Sequence, residues 1–314
     1  MSASPRSRLQ LLGSAALFST GGAAIKACAL TNWQVVSLRA AIAGLTVFAL
    51  LPAARRRWTW PALVVGALYA ATAVLFVSSN KLTTAANTIF LQSSSPLYIA
   101  LLSPWLLGER AKRRDLAFMA VLAIGLVLIF VGTEAPVVTA PDPVRGNVLA
   151  AMSGLACGLM LIGLRWLERD APGSAATAVV VGNAAAFLVG ALKAFPLQAR
   201  AVDWMIVAYL GVFQIGLGYV LLLWALRRVG ALEATLLLFI EPVLSPLWSW
   251  LLHGERPGAW SLAGGVLILA ATAVKTWSDV AFPVPAPDLV SRSPVPATAE
   301  RARERAGHAP GDTG

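Results

Sequence analysis

The sequence predicts an all-α polytopic membrane protein, with ten transmembrane helices arranged as two inverted five-helix repeats. Three observations predict it. The first is composition: 58% of residues are hydrophobic and 13% charged, with mean hydropathy +0.72, against about 25% charged in an ordinary soluble domain. The second is that the apolar residues fall into ten runs, each near the roughly 20 residues a helix needs to cross a bilayer. The third is an internal repeat, which decides architecture wherever it occurs. Residues 96–110 and 242–256 align without a gap at an offset of 146, with seven of fifteen positions identical. The identical pairs are Pro96/Pro242, Leu101/Leu247, Ser103/Ser249, Leu106/Leu252, Gly108/Gly254, Glu109/Glu255 and Arg110/Arg256.

Taken in order, residues 1–8 form a short basic lead. The first run is Leu9–Leu30. Ala27-Cys28-Ala29 loosely resembles a signal cleavage site, but Lys26 beside it breaks that pattern. Trp33–Leu51, Trp60–Ser79, Thr84–Leu107 and Leu116–Val131 complete the first five. Gly146–Leu167, Ala175–Leu192, Trp204–Leu226, Ala231–Leu252 and Ala259–Trp277 make the second five. Helices satisfy their own backbone groups, as lipid demands. Links as short as Thr31-Asn32 and Val229-Gly230 make consecutive helices antiparallel neighbours.

Basic residues give the orientation. With the N-terminus inside, 18 Lys and Arg fall on the cytoplasmic side and 5 on the other, Lys26 and Arg39 lying within spans. That bias places both termini in the cytoplasm, in a bacterial inner membrane. Five helices is an odd number, so the repeats at 9–133 and 146–278 cross the membrane in opposite senses. The linker 134–145 is polar and proline-bearing. Residues 279–314 carry six prolines among small and charged residues, a composition that predicts a disordered cytoplasmic tail.

Composition also excludes functions. The net charge of +10 is spread in clusters between apolar runs rather than in a nucleic-acid-binding patch with aromatics. Cys28 and Cys157 form no metal-ligand or disulfide spacing. The two histidines, His253 and His308, sit at a span end and in the tail. With no G-x-S-x-G or metal constellation, the chain is expected not to be an enzyme and to need no cofactor or metal.

Candidate functional residues are those that are costly in lipid. Glu241 lies near mid-span, where a charge must be protonated, paired or facing water. It is the candidate proton-coupling residue, or else a protonated packing group. Pro96 and Pro242 each remove a backbone donor at mid-span, either as gating helix breaks or as static kinks. Asn87, Gln92, Ser94, Ser95 and Tyr98 in the fourth span offer a polar cavity wall. The alternative is small-residue packing with hydroxyls bonded to backbone. Asn87, Leu91, Ser94 or Ser95, and Tyr98 would share one stripe at helical spacing. Thr72, Phe76, Phe213 and Gln214 lie near span centres and could line the same cavity, whereas aromatics at span ends read as interface belts. Lys26 and Arg39 could snorkel to the interface or form a positive lobe that attracts a carboxylate. Gly108, Glu109, Gly254 and Glu255 read as structural turns, the glycines ending helices and the carboxylates serving the following helix N-termini.

The chain resembles the drug/metabolite transporter superfamily in its ten-helix EamA-type branch over about residues 9–278. The residues carrying the resemblance are Ala24-Ile25-Lys26, Leu38-Arg39, Ser95-Pro96, Leu107-Gly108-Glu109-Arg110, Glu241-Pro242 and Gly254-Glu255-Arg256. It implies a secondary carrier, usually an exporter of amino acids, related metabolites or toxic small molecules, often linked to protons. The expected partners are a small-molecule substrate, protons and the lipid bilayer. A facilitative carrier or importer is the alternative. Where the second half has Glu241, the first half has Ser95, a departure from the family's symmetry.

Overall fold

The computed structural model describes residues 5–55, 58–106, 113–171, 173–226, 228–229 and 231–281. Gly108, Glu109 and the expected tail beyond Ala281 lie outside the described residues. Among those residues the chain is α-helical without a strand, apart from one isolated bridge between Val137 and Ala140. The helices are α1 (Pro5–Ser19), α2 (Gly21–Ala27), α3 (Asn32–Leu50), α4 (Trp60–Leu82), α5 (Ala85–Gln92), α6 (Ser95–Leu106) and α7 (Arg113–Val131). The second half holds α8 (Pro143–Asp170), α9 (Ser174–Ala191), α10 (Ala201–Tyr209), α11 (Gly218–Leu226), α12 (Ala231–Leu238), α13 (Ile240–His253) and α14 (Ala259–Ala281). Contacts divide the chain into Met1–Trp277 and Ser278–Gly314, and Ser278–Ala281 is the part of the latter that is described.

These helices follow the ten apolar runs, and six segments are singly long and apolar enough to span a bilayer. Three runs are interrupted instead. The first breaks at Thr20 between α1 and α2, the fourth at Ser93-Ser94 between α5 and α6, and the ninth at Phe239 between α12 and α13. The eighth run stays helical but winds as a π-helix over Leu210–Leu217. Leu9–Leu30 reads in the sequence as one continuous span. It breaks because Gly21-Gly22 lets other chain elements approach: a Cβ on Gly21 would lie 2.7 Å from the Gln214 amide, and one on Gly22 3.0 Å from Ala85 Cβ.

Local chemistry sets the ends. Thr31 and Gln34 form a reciprocal capping box at the start of α3, which satisfies two orphan donors. Thr59, Thr84 and Asp142 accept from the first turns of α4, α5 and α8. Gly254 ends α13 with φ +65°, where a side chain is strained. Nothing lies within 4 Å of a Cβ built there. Gly254→Ala should therefore cost about 1 kcal/mol, all of it from the backbone. The check is a small fall in melting temperature with unchanged transport.

The halves interleave. α4 packs chiefly on α8 and α9, α3 on α9 and the π segment, and α1 on α11 and α13. The fifth segments of the two halves, α7 and α14, run antiparallel. Gly132 at the end of α7 meets Trp260 at the start of α14, and Asp115 pairs with Lys275 at 3.1 Å at the opposite ends. Between them Gly264 abuts the Gly125 carbonyl, 2.5 Å from where a Cβ would stand. Equivalent helices meeting head to tail is what an inverted repeat requires.

Candidate functional site

Two polar regions lie inside the bundle. The first closes the end that carries the α2–α3, α4–α5 and α13–α14 connections. Lys26, in the last turn of α2, forms an ion pair with Glu255 at 3.2 Å, both side chains only 4% exposed. The Lys26 ammonium also donates to the Thr83 carbonyl at 2.8 Å and to the Thr139 carbonyl. The other carboxylate oxygen of Glu255 accepts from the Ala85 N–H at 3.3 Å. Around this pair, Asn147 Oδ1 accepts from Thr83 Oγ1 at 2.7 Å and from the Asn87 amide at 3.2 Å, while its own amide donates to Thr133. A cavity of about 20 Å³ lined by Thr83, Thr84, Asn87, Glu134 and Ser261 remains there, room for about one water. This end is shut.

Two readings are corrected by this arrangement. Lys26 does not snorkel outwards: its carbonyl and carboxylate partners all lie inside. Glu255 does serve a helix N-terminus, but that of α5 in the other half rather than that of the following α14. The α13–α14 turn points back over the bundle, so the nearest free N–H groups belong to Ala85's helix.

The second region is deeper and central. Arg39 of α3 is 4% exposed and lies within electrostatic reach of Tyr69 and Tyr219. Those two rings pack at 5.4 Å, and Tyr219 packs edge-on to Phe18 at 5.2 Å. Asn183 stands beside the Tyr69 hydroxyl. Glu241, the second residue of α13, lies within electrostatic reach of Tyr219 and Cys157. It lies about 18 Å along α13 from His253 at 1.5 Å per residue. Neither Arg39 nor Glu241 has an ion-pair or hydrogen-bond partner among the described residues. The snorkelling alternative for Arg39 fails as well, because its side chain is almost wholly buried in the bundle.

The helix breaks border these regions. Pro96 is the second residue of α6 and Pro242 the third of α13, each just past a break. Ser94 Oγ donates to the Leu91 carbonyl at 2.6 Å, absorbing a group freed by the break. The break interrupts the expected stripe: Asn87 and Leu91 are buried, Ser94 and Ser95 are buried at the turn, and Tyr98 is half-buried beside Ser94. Tyr98 lines an outward apolar groove with Phe130, Val148, Ala151, Met152 and Leu155. Gln92 donates to Ser153 Oγ at 2.8 Å, and Ser153 donates to the Thr72 carbonyl at 3.2 Å. Gln92 and Thr72 are thus brought together through α8. Phe76 packs between the two main apolar clusters.

Span eight divides its candidates. Gln214 is 3% exposed and points inward, donating to the Phe18 carbonyl at 3.4 Å. Phe213 is 48% exposed and stacks on Tyr209 at 6.0 Å. It is no cavity residue, because the π winding turns it outward. Tyr69 and Tyr219 are the functional candidates that a belt reading of aromatics misses. Asn147 and Gly154 are missed too, although Gly154-x-x-x-Gly158 is a legible close-packing motif. A Cβ on Gly154 would stand 2.8 Å from the Leu91 carbonyl oxygen, and one on Gly158 3.1 Å from that of Ser95. The α5–α6 break rests on these two glycines.

Comparison with known proteins extends the picture. Residues 7–131 and 144–277 each match the model of the EamA-like transporter family. The pseudopaline exporter CntI of Pseudomonas aeruginosa is 27% identical over 252 residues, covering 76% of this chain and 84% of its own. The uncharacterized transporter YdfC of Bacillus subtilis is 43% identical over 61 residues, 19% of this chain and 20% of its own. A solved crystal structure has a TM-score of 0.60 at 22% identity, covering 88% of this chain and 99% of its own, a likeness of fold.

Proposed function

The chain belongs to the EamA-like transporter family, and from that premise we propose a proton-linked exporter of small metabolites working by alternating access. Transport, not enzymatic chemistry, is the family's activity. The finer reading is ours: substrates of amino-acid or related type, residence in the bacterial inner membrane, and both termini cytoplasmic. A likeness to an exporter supports the outward direction. The gates would be the paired α5–α6 and α12–α13 segments, with the Lys26–Glu255 pair shutting one end.

The observation that carries proton coupling is Glu241. A carboxylate inside the bundle, beside a helix break and without a hydrogen-bond or ion-pair partner among the described residues, is costly to ionise. Such a group can bind and release a proton as its exposure changes between states. Reconstituted vesicles with and without a pH gradient test this. Gradient-driven accumulation of substrate should fall at least tenfold in Glu241→Gln, while exchange between substrate pools on the two sides persists. Undiminished gradient-driven transport in that variant would remove Glu241 from coupling and favour a facilitative carrier.

A further inference from the structure

We propose that the shut end is a collapsed aqueous vestibule, with Asn80, Asn87, Thr88 and Ser249 lining the water path that opens when the Lys26–Glu255 pair parts. The proposal rests on the alternating-access reading and not on Glu241. Among the described residues, eight buried side-chain nitrogen and oxygen atoms have no hydrogen-bond partner. Four of them are Asn80 Oδ1, Asn87 Oδ1, Thr88 Oγ1 and Ser249 Oγ, on residues at most 5% exposed. A fifth, Glu255 Oε1, has only the Lys26 ammonium at 3.2 Å. Buried polar groups are normally bonded, so a cluster of unbonded ones needs a physical reason.

One junction fixes how these faces meet. A Cβ on Gly22 of α2 would stand 3.0 Å from Ala85 Cβ, 3.1 Å from Asn80 Oδ1 and 3.4 Å from Ser245 Oγ. Helices α2, α4, α5 and α13 therefore converge there, from both halves of the chain. Ser249 lies one turn beyond Ser245 on the same face of α13, and Thr88 three residues beyond Ala85 on the same face of α5. Glu255 ties the two helices by accepting from the Ala85 N–H at 3.3 Å. Asn87 donates its amide nitrogen to Asn147 Oδ1 at 3.2 Å, which leaves its oxygen unbonded beside the cavity it lines with Thr84 and Ser261. The polar groups along α8 behave differently: Gln92, Ser153 and Thr72 are bonded in a chain, the pattern of a permanent contact. At the shut end, water entering as the helices part would satisfy groups that the closed packing leaves bare. The closed packing thus favours its own opening, and the Lys26–Glu255 pair opposes it.

Cysteine labelling of the purified full chain tests the assignment, in a background carrying Cys28→Ala and Cys157→Ala. Thr88→Cys and Ser249→Cys should react with a water-soluble thiosulfonate roughly tenfold faster than Val77→Cys, because local opening wets them. Val77 is as fully buried but belongs to an apolar cluster. Adding Thr88→Val to Ser249→Cys removes an unbonded hydroxyl and favours the shut state, so labelling should slow by about three- to tenfold. Thr88→Ser keeps the hydroxyl and should leave the rate unchanged. Equal rates at the three cysteines, or labelling that Thr88→Val leaves unchanged or quickens, overturns the proposal. Thr88→Val in the otherwise unaltered chain is read by thermal melting, which decides even if a cysteine variant fails to fold. Its melting temperature should rise, and one that does not rise shows a hydroxyl that serves the fold and overturns the proposal. Failure of the Glu241→Gln transport test with these results intact would remove proton coupling and leave the vestibule standing.

Discussion

Lys26→Met should destabilise the protein by about 3–5 kcal/mol, because it strands a buried carboxylate. Glu255 would keep the Ala85 N–H and lose its counter-ion. The reverse change, Glu255→Gln, should cost less. A glutamine still accepts from Ala85, and Lys26 keeps the Thr83 and Thr139 carbonyls. Adding Glu255→Gln to Lys26→Met should return most of the first loss, since no charge is then left unpaired. Denaturation midpoints of the wild type, both single variants and the double variant close the cycle, and contact residues of this kind couple by about 0.5–3 kcal/mol. Additive losses would mean that the pair contributes nothing as a pair. The same variants should leave the closed end looser, read as faster maleimide labelling of a cysteine placed at Ser261.

Gly154→Val should cost about 1–3 kcal/mol or more, since the branched side chain must push against backbone. Most overpacked sites yield by rotating a neighbour's side chain. Here the neighbours are the Leu91 and Gln92 carbonyl oxygens, 2.8 and 3.2 Å from the first added carbon. The only relief is for α8 to part from the α5–α6 break, disturbing the Gln92–Ser153–Thr72 chain beside it. Leu155→Val, one residue along and 36% exposed, is the control and should be nearly neutral. Yield of monodisperse protein and melting temperature together distinguish the two, and equal behaviour would show that the close approach is unimportant.

Much of the fold was legible in the sequence because lipid imposes one simple rule, that backbone groups be satisfied within the segment. Ten apolar runs and one repeat follow from that rule and from counting. The breaks near Pro96 and Pro242 were legible too, since proline lacks the donor a helix needs. The break at Thr20 was not: glycines mark it, and glycine is common in membrane helices for packing reasons. Side-chain direction was the larger gap. Lys26 and Arg39 read equally well as snorkelling or inward residues, and only packing against the other half decides. Glu255 meets Lys26 from 229 positions away, a pairing that no local pattern encodes. Phe213 and Gln214 are adjacent, and which one faces inward depends on a π winding that helical periodicity does not anticipate.

That winding over Leu210–Leu217 bears on how this span can change length. A π turn closes hydrogen bonds between residues five apart where an α turn uses four, so it stores one surplus residue. Deleting one residue between Leu210 and Leu217 can relax the segment to α winding while Tyr209 and Tyr219 keep their places at its two ends. Elsewhere in the bundle a single deletion would rotate everything beyond it by about 100° at 3.6 residues per turn. Span eight thus carries slack, able to lose a residue and still present Tyr219 to the centre.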